Sequence, residues 1–400
     1  MKKGWETKRL GDVLEKTETV NPAVLFPNAE FEYIDVSSVS NTTYIIEETQ
    51  RLKGKDAPSR ARKVVRTNDI LLATIRPTLQ RIAIVPEHLD KQVCSTGYFV
   101  LRPKQGIDHR FVFYWLFTGD FLGKMEHLQK GASYPAVTDG DVRAQAIPLP
   151  PLPEQRRIVG VLDEAFAAIA TAKANAEKNL QNAREIFESH LNEVFARKGE
   201  GWVERRLGDI CAFRNGINYT KESRGERIKI VGVRNFQQNF SVPLNDLDEV
   251  TIDGVLDDLD LLKPGDLLAV RSNGNVALIG RTLFADKIAG RISHSGFTIR
   301  IRLSSENVLP KYLCFFMKSP RTRTRLADGG TGTNIKSLNQ GMLSALKIPL
   351  PPSGVQKAVA TQLDALSAET RRLAAIYSRK LAALEELKQA LLHRAFSGEL

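Results

Sequence analysis

The sequence predicts an α+β fold in which two mixed α/β domains are joined by two long helices that form an antiparallel coiled coil. Three observations support this prediction: an internal repeat, short β-forming segments in each copy, and a long amphipathic stretch at the end of each copy. Together they predict a pseudo-two-fold internal repeat within a single chain.

The repeat consists of matching segments at a nearly constant spacing. GWETKRLGDVLEK begins at Gly4 and GWVERRLGDICAF at Gly201, an offset of 197 residues. Further matches join 33–39 to 230–236 and 69–71 to 266–268 at the same offset, 95–98 to 294–297 at an offset of 199, and 147–151 to 348–352 at 201. Because the matches follow one another in register, we interpret the chain as a duplication.

Each copy divides into a mixed α/β part and a helical part. Runs of β-forming residues at 82–85, 98–101 and 297–301 predict strands, and denser apolar runs at 110–117 and 311–317 predict short helices. The predicted domains are 1–150 and 201–350, and the predicted helices are the central 151–200 and the C-terminal 351–400.

The two helical parts carry one apolar stripe each, with steps of three and four residues. The first stripe is Ile158, Leu162, Ala165, Ile169, Ala172, Ala176, Leu180, Ala183, Phe187, Leu191 and Val194. The second, at an offset of 201, is Val359, Leu363, Leu366, Thr370, Leu373, Tyr377, Leu381, Leu384, Lys388, Leu392 and Ala395, with slips at Thr370 and Lys388. A helix of about 42 residues extends ~63 Å. A single helix in water would leave its apolar stripe exposed, so we expect the two helices to pack against each other in antiparallel orientation.

Composition favours an anionic partner. The formal net charge is +11 and the pI is about 9.5, which favours nucleic acid first and an anionic membrane second, although charge alone does not decide the matter. We expect neither a secretory signal nor a membrane anchor, because no long apolar run is present. Cys94, Cys211 and Cys314 are too far apart in sequence to suggest a disulfide frame or metal site. We expect them to be buried thiols in a reducing cytoplasm.

The predicted geometry suggests how such a chain would meet DNA. Proteins with two-fold symmetry contact two half-sites about one helical turn apart, roughly 34–36 Å. The two domains here differ in sequence, so we expect two unlike short half-sites separated by an unread spacer.

Several motifs make the chain resemble the specificity subunits of type I restriction–modification enzymes. They are the Gly-Trp…Leu-Gly-Asp opening of each copy, the run IPLPPLPEQRRI at 147–158, and the C-terminal segments 387–391 and 395–400. The resemblance covers nearly the whole chain. The second copy departs from the pattern at 353–356, where Pro-Glu-Gln is reduced to a lone Gln356.

The resemblance implies a non-catalytic subunit that recognises a bipartite asymmetric sequence in double-stranded DNA through two target-recognition domains. It also implies docking of two modification (adenine methyltransferase) subunits and of restriction (translocase/nuclease) subunits. S-adenosylmethionine, ATP and magnesium are then implied for those partners only, and no cofactor is expected on this chain.

Candidate DNA contacts are cations and polar side chains on Gly- and Pro-bearing segments, since Lys and Arg bind phosphates and Arg, Asn, Gln, Ser and Thr read bases. In the first copy they are Lys53, Lys55, Arg60, Arg62, Lys63, Arg76, Thr78, Gln80, Arg81, Lys130, Ser133 and Tyr134. In the second copy they are Arg214, Asn218, Tyr219, Arg271, Asn273, Asn275, Arg321, Arg323, Thr331, Thr333 and Asn334.

These candidates have plainer alternatives. The basic run from Arg51 to Arg66 is predicted as a DNA-facing loop, but a solvated surface run is the alternative. The glycine loops at 129–134 and 329–334 are predicted to approach DNA closely, but tight turns are equally compatible with them. Lys318, Arg321, Arg323 and Arg325 are predicted to form one phosphate clamp. The acidic stretch 246–260 is expected to point away from DNA.

Motifs of catalysis are not found in the sequence. The Pro-Pro pairs are flanked by Leu and Ser, unlike the Asn/Asp-Pro-Pro-aromatic loop of adenine methyltransferases, and no Walker-type phosphate loop is present. Two competing hypotheses remain. A basic coiled-coil adaptor would bind DNA weakly and without sequence preference, whereas a nuclease or methyltransferase with a degenerate site would turn over DNA without partners.

Overall fold

The computed structural model describes residues 4–197, 199–237, 239–328 and 337–400. Tertiary contacts divide the chain into unit 1, Met1–Glu177 with Arg379–Leu400, and unit 2, Lys178–Ser378. The boundaries between these two units fall within the long helices. This division into two units does not test the predicted four-part division at 150, 200 and 350, which stays a prediction.

Unit 1 contains the strands and helices of the first copy. Its strands are β1 Glu6–Arg9, β2 Glu30–Ile34, β3 Gln50–Lys53, β4 Ala61–Val64, β5 Ile70–Ala73, β6 Ile82–Ile84, β7 Val93–Ser95, β8 Tyr98–Leu101 and β9 Ala146–Leu149. Its helices are α1 Pro22–Leu25, α2 His109–Trp115, α3 Gly119–Leu128 and α4 Asp139–Arg143, followed by the first part of α5 Leu152–Ala196. The strands form sheets of order β3-β2-β7-β4, β6-β5-β8 and β1-β9.

Unit 2 follows the same plan. Its strands are β10 Val203–Arg206, β11 Cys211–Asn215, β12 Arg227–Val231, β13 Asp248–Thr251, β14 Leu267–Val270, β15 Thr282–Phe284, β16 Ile292–His294, β17 Thr298–Leu303 and β18 Lys347–Leu350. Its helices are α6 Pro310–Lys318, α7 Pro320–Asp328 and α8 Gln340–Ala345, followed by the first part of α9 Ser353–Ser397. The sheets have the order β13-β12-β16, β11-β17-β14-β15 and β10-β18. The predicted strands and short helices are confirmed with small changes at their ends.

Strand β5 shows why both faces of the central sheet are apolar. Ile70 and Leu72 pack into the core that contains α2 and α3, and Leu71 and Ala73 pack into a second core on the opposite face. Successive side chains of a strand point to opposite faces, so a strand buried on both sides reads as a continuous apolar run. Strand β14 repeats this alternation in unit 2.

Strand pairing corrects one of the repeat matches. Ala73 pairs with Tyr98 in unit 1, whereas Val270 pairs with Thr298 in unit 2. The neighbouring strands agree, since Cys94 pairs with the end of β2 and His294 with the end of β12. The true offset here is therefore 200, and the predicted match of 95–98 to 294–297 at 199 was wrong by one residue. The shared Ser/Thr-Gly-aromatic pattern had favoured the wrong register.

The two long helices are confirmed, and each has 45 residues. None of the predicted stripe positions is exposed, including the slips at Thr370 and Lys388. In unit 1, Ile158 and Leu162 near the start of α5 share a core with Leu392 and Ala395 near the end of α9.

Unit 2 shows the converse contact between the same two helices. Leu191 and Val194 near the end of α5 pack with Leu363 near the start of α9. The packing is antiparallel within each unit, as predicted.

Lys388 shows how a lysine occupies an apolar stripe. Its ammonium nitrogen lies 5.1 Å from the ring centroid of Tyr44, 5.9 Å from that of Phe117 and 5.7 Å from that of Phe166. Aromatic faces attract a cation, so the charge is accommodated among three rings of unit 1.

A buried glutamine fastens the start of each long helix. In unit 1, Gln155 accepts a hydrogen bond from the backbone N–H of Asp108 at 2.8 Å. In unit 2, Gln356 accepts from the N–H of Leu309 at 3.0 Å and donates to the carbonyls of Asn307 and Pro351 at 3.0 and 2.9 Å. The sequence departure at 353–356 therefore preserves the residue that makes this contact.

Replacing Gln356 with alanine is expected to lower the free energy of unfolding by about 1–3 kcal/mol, because a buried N–H loses its acceptor. Urea unfolding followed by circular dichroism measures the change. Gln362→Ala, an exposed glutamine on the same helix, is the control and should change stability by less than about 0.5 kcal/mol. Equal midpoints for the two variants would count against this role.

Among the described residues, no helix has both the length and the apolar character needed to cross a lipid bilayer.

Candidate nucleic-acid interface

In unit 1 the chain leaves β5 through a strained turn. Arg76 has φ +50° and Gln80 has φ +52°, on either side of a 3₁₀ turn at Pro77–Leu79. Residues other than glycine seldom occupy this left-handed region, and such strain concentrates at functional sites. Arg76 and Thr78 are exposed and Gln80 is half-buried.

A second loop is held against this turn by backbone hydrogen bonds. Lys130 and Ala136 pair with each other, closing the intervening residues into a loop. The N–H of Arg76 donates to the carbonyl of Pro135 at 2.7 Å. The structure thus brings together two segments that the sequence analysis had singled out separately.

The side chains of the two segments also meet. The Arg76 guanidinium lies 5.2 Å from the ring centroid of Tyr134 and donates to the carbonyl of Ser133 at 3.3 Å. Tyr134 is 73% exposed. We call residues 76–80 together with residues 130–134 loop surface 1. It presents an exposed arginine, an exposed tyrosine and backbone polar groups.

Arg81 lies behind loop surface 1 and has a structural contact. Its guanidinium donates to the carbonyls of Ser37 and Val39. In unit 2, Arg281 stands at the corresponding position before β15 and donates to the carbonyl of Gln237 at 3.1 Å. Because both units use this arginine to tie a loop to the sheet, Arg81 has a role in the fold in addition to the predicted DNA contact.

The predicted basic loop between Arg51 and Arg66 is divided between two strands and the turn that joins them. Lys53 ends β3, while Arg62 and Lys63 lie in β4. Lys63 points inward and bonds to the carbonyl of Tyr98 at 2.6 Å and to Asp139 at 2.9 Å. The prediction of one DNA-facing loop was therefore wrong in its geometry.

The remaining predicted cations between Arg51 and Arg66 differ in their exposure to solvent. Lys53, Lys55 and Arg60 are exposed, and Arg62 is half-buried. Their predicted DNA contacts stay predictions.

In unit 2 the chain leaves β14 through the corresponding turn. Ser272 forms a bridge with Ser337, just as Ile75 forms one with Ala136 in unit 1. The predicted residues Thr331, Thr333 and Asn334 lie outside the described residues.

Hydrogen bonds to nearby backbone groups hold the side chains of the turn that follows β14. Asn273 accepts from the N–H of Asn275 at 2.8 Å, and Asn275 accepts from the N–H of Ala277 at 3.0 Å. Arg271 donates to the carbonyl of Gly296 at 3.3 Å. The predicted triplet of Arg271, Asn273 and Asn275 therefore lies on one short turn.

Phe297 is a residue of this surface that the sequence analysis missed. It is 62% exposed, and its carbonyl accepts from the N–H of Arg271 at 2.8 Å. The prediction had placed it inside a strand, but β17 begins at Thr298. The Asn218 side chain packs so closely on Gly296 that a Cβ there would lie 2.1 Å from its oxygen. We call residues 271–275 with Asn218, Gly296 and Phe297 loop surface 2.

Of the other unit 2 candidates, Arg214 has an acidic partner and Tyr219 follows Asn218 directly in the chain. Arg214 forms two bonds to Asp260, at 2.5 and 2.9 Å. Tyr219 is 38% exposed. The acid pair accounts for the Arg214 side chain without DNA, whereas the contact predicted for Tyr219 stays a prediction.

Several acids of the 246–260 stretch are matched by arginines of unit 2. Arg234 bonds to Asp246 and Asp248 at distances of 2.8–2.9 Å, and Arg291 bonds to Asp258 at 3.0 Å. Intramolecular pairing reduces the negative field of the stretch. Its predicted orientation away from DNA stays a prediction.

The predicted clamp of four cations is split between two faces of unit 2. Arg321 and Arg325 line one hollow together with Asn192. Lys318 and Arg323 line a different cavity. On α7, Arg323 lies two residues from both Arg321 and Arg325 and therefore does not share their face, and Lys318 belongs to α6. The single clamp predicted from sequence was wrong.

His294 lies fully buried beside loop surface 2. Its Nδ1 is 2.9 Å from the Thr298 hydroxyl. Burial, and next the charge of Arg300, lowers the pKa of His294 to about 3. The imidazole therefore stays neutral in the folded protein at pH values where an unfolded chain would protonate it.

This depressed pKa predicts acid sensitivity. Stability is fully present above the ordinary histidine pKa of about 6.5 and is lost as pH falls toward 3, because only the unfolded state binds the proton. At pH 5 the loss from this one group is expected to be about 2 kcal/mol. His294→Cys, which installs the residue found at position 94, is expected to lose less stability than the parent between pH 7 and 5. Denaturant unfolding at both pH values checks this, and equal losses would contradict it.

The three cysteines are buried and unpaired, as predicted. Burial raises the pKa of Cys94 to about 12 and of Cys314 to about 11. These thiols are therefore not nucleophilic at neutral pH. Within the described ranges, no group of three or more His, Cys, Asp or Glu side chains is placed to hold a metal ion.

The geometry defines a class of protein. Two units of one plan each place an arginine-bearing turn at the end of the same central strand, and the two turns differ in sequence. This is the arrangement of a duplicated recognition protein with two unlike binding surfaces.

Comparison with known sequences identifies the family. The profile described as the type I restriction modification DNA specificity domain matches residues 2–181 and again 199–378. The chain belongs to this family, with one domain in each repeat. The prediction of a type I specificity subunit with two DNA target-recognition domains is confirmed.

Known relatives and structures agree. The StySPI specificity subunit of Salmonella potsdam is 24% identical over 77% of this chain and 69% of its own length. The EcoKI specificity subunit of Escherichia coli K12 is 25% identical over the same shares of the two chains.

Two solved structures match over the full length of the chain. A chain solved for the complex assembly and conformational transition of the type I R-M system has a TM-score of 0.85 at 28% identity, covering 100% of this chain and 99% of that one. The HsdS subunit of Thermoanaerobacter tengcongensis has a TM-score of 0.63 at 28% identity, covering 100% and 98%. These matches confirm the predicted fold class, and the names of the relatives accord with specificity without catalysis.

Proposed function

We propose that this chain is the specificity subunit of a type I restriction–modification enzyme and that its two units read the two halves of a bipartite, asymmetric duplex sequence. The observation that carries the proposal is the repeated placement of loop surfaces 1 and 2 after β5 and β14, with the same backbone bridges and different side chains. Like placement supports a shared role, and unlike side chains support unlike half-sites.

The chemistry of each surface suits base reading. An exposed arginine binds guanine edges in the major groove, and Asn binds adenine. Loop surface 1 offers Arg76 with Tyr134, and loop surface 2 offers Arg271 with Asn273, both of which are half-buried. The net charge of +11 supplies attraction to the phosphate backbone.

The proposed partners follow from the family. Two modification subunits, which methylate adenine, would dock on this chain, and restriction subunits would join them. S-adenosylmethionine, ATP and magnesium would bind to those subunits, and we propose no cofactor for this chain. The proposed compartment is the cytoplasm, where the three cysteines stay reduced.

Selection from a random duplex pool tests the proposal. The full-length chain, assembled with its modification subunits, is expected to enrich two short unlike sequences separated by a constant unread gap. Recovery of duplexes without any shared sequence would instead favour the adaptor hypothesis. Methylation or cleavage of DNA by the isolated chain would favour the degenerate-enzyme hypothesis.

A further inference from the structure

Unit 2 contains a cavity of about 710 Å³ whose lining residues do not belong to loop surface 2. Its walls come from α5, the start of β15, helices α6 and α7, and α9, together with Phe236, Gln237, Asn239 and Phe240. The volume lies within the range of about 300–1,000 Å³ that is typical of small-molecule sites.

The charged residues that line the cavity are cations with one exception. The five are Arg184, Arg281, Lys318, Arg323 and Arg371, and the lining includes a single carboxylate, Glu188. Within the described ranges, none of these five cations forms an ion pair with an acid. Elsewhere in unit 2, Arg214, Arg234 and Arg291 are paired with acids, so the unmatched positive charge is a local property of the cavity.

Lys318 is held toward the cavity by two contacts. Its ammonium nitrogen donates to the carbonyl of Thr282 at 2.6 Å and lies 4.4 Å from the ring centroid of Phe240. Arg371 lies 5.3 Å from the same ring centroid. Burial lowers the pKa of Lys318, and the charges of Arg323 and Arg371 lower it further. Lys318, Arg323 and Arg371 are therefore close enough to repel one another.

Two buried polar atoms of the lining residues have no hydrogen-bond partner within the described protein. They are the Nε of Arg323 and the hydroxyl of Thr282, a residue that is only 5% exposed. Leaving a buried donor unpaired is destabilising by about 1–3 kcal/mol. A ligand with acceptor oxygens would satisfy both the unpaired donors and the unmatched charge.

The first copy provides an internal comparison. Strand pairing shows that Ile82 in the first copy corresponds to Thr282 in the second. The other correspondences follow from aligning the starts of equivalent helices, Gly119 with Pro320 and Leu152 with Ser353. The first-copy residues are Ile82, Phe117, Leu122, Phe166 and Ala170, and the second-copy residues are Thr282, Lys318, Arg323, Ser367 and Arg371. Each apolar position of unit 1 is thus polar or cationic in unit 2.

This comparison shows that the fold does not require cations at the positions of Lys318, Arg323 and Arg371, whereas Arg281 is matched by Arg81 in unit 1. In unit 1 the same region is filled by the aromatic side chains around Lys388. The shared architecture is compatible with a single lysine among aromatic rings at this place, so the cluster of Lys318, Arg323 and Arg371 in unit 2 needs a separate explanation.

We propose that the unit 2 cavity binds a phosphate-bearing anion through Arg323, Arg371 and Lys318. Guanidinium groups match the geometry of phosphate oxygens, and an ammonium adds a point charge. The phosphate belongs either to a free nucleotide-like polyphosphate or to the backbone of bound DNA. The site does not depend on the proposed reading of bases by loop surfaces 1 and 2.

Calorimetric titration of the full-length chain with pyrophosphate, and separately with a short duplex, tests the proposal. Ionic strength is matched with sodium chloride throughout. Arg371→Ala and Arg323→Leu install the first-copy residues, and each is expected to weaken binding at least about tenfold, because a charge-assisted hydrogen bond is lost. Arg371 is exposed, so its variant keeps the fold, which an unchanged unfolding midpoint verifies.

Two controls remove the same charge elsewhere. Arg372→Ala lies next to Arg371 on α9 but pairs with Glu369, and Arg325→Leu lies on α7 but lines the other hollow. Both should bind pyrophosphate as the parent does. Variant-sensitive binding of pyrophosphate assigns a free polyphosphate, and variant-sensitive binding of the duplex alone assigns the DNA backbone. Absence of binding in both titrations, or equal weakening by Arg371→Ala and Arg372→Ala, overturns the proposal.

Discussion

Replacing Asp69 with alanine is expected to lower the free energy of unfolding by about 3–5 kcal/mol, because the change leaves a buried arginine without its counter-ion. Asp69 is 1% exposed, and it receives two hydrogen bonds from Arg102 at 2.8 and 2.7 Å. The pair recurs in unit 2, where Arg302 bonds to Asp266 twice at 2.7 Å. The loss is measured by denaturant unfolding.

Two further variants separate the buried pair from ion pairs in general. Glu30→Ala breaks a pair whose partner Arg51 has a side chain 72% exposed, and it should cost about 0–1 kcal/mol. The double variant Asp69→Ala with Arg102→Met removes both charges and is expected to regain much of the stability lost in Asp69→Ala. If the double variant were no more stable than the single one, the cost would lie in packing or in the lost hydrogen bond from the N–H of Arg66 to Asp69, and not in the unpaired charge.

Replacing Arg76 with alanine is expected to weaken binding of the cognate duplex by about 1–3 kcal/mol, roughly 5–150-fold, if the arginine reads a base. The assembled enzyme is titrated with the selected target and with a target whose first half-site is scrambled. On the scrambled target the parent and Arg76→Ala should bind alike, because the contact is already lost. Arg271→Ala is expected to show the same behaviour with the other half-site only.

Arg372→Ala serves as the control, because it removes one positive charge from an exposed helical pair. It should leave the affinity for both targets close to that of the parent. An Arg76→Ala variant that weakened binding equally on cognate and scrambled targets would identify a phosphate contact in place of a base contact.

The parts of the fold that could be predicted from sequence depend on local periodicity. The stripe from Ile158 to Val194 marks a helix because each step depends only on residues three or four positions away. The doubled plan followed from matching segments at both ends of each copy. The match at 95–98 failed because it rested on a similar short pattern, whereas the register is set by pairing of Tyr98 and Thr298 with distant strands.

The candidate surfaces were predictable only in part. Arg76 and Tyr134 were both singled out, but their contact joins residues far apart in the chain and depends on backbone pairing with Pro135. Lys63 resembled a free basic residue until the strand that carries it was placed beside Asp139. Charge along the sequence does not show which cations already have partners.

Methylome sequencing of a host that supplies the modification subunits, with and without this chain, tests the central claim most directly. We expect one new methylated motif that is found only when the chain is present, with two unlike specific parts and an unread gap between them. A methylome that is unchanged by the chain, or a new motif that is continuous or has two identical halves, would contradict it.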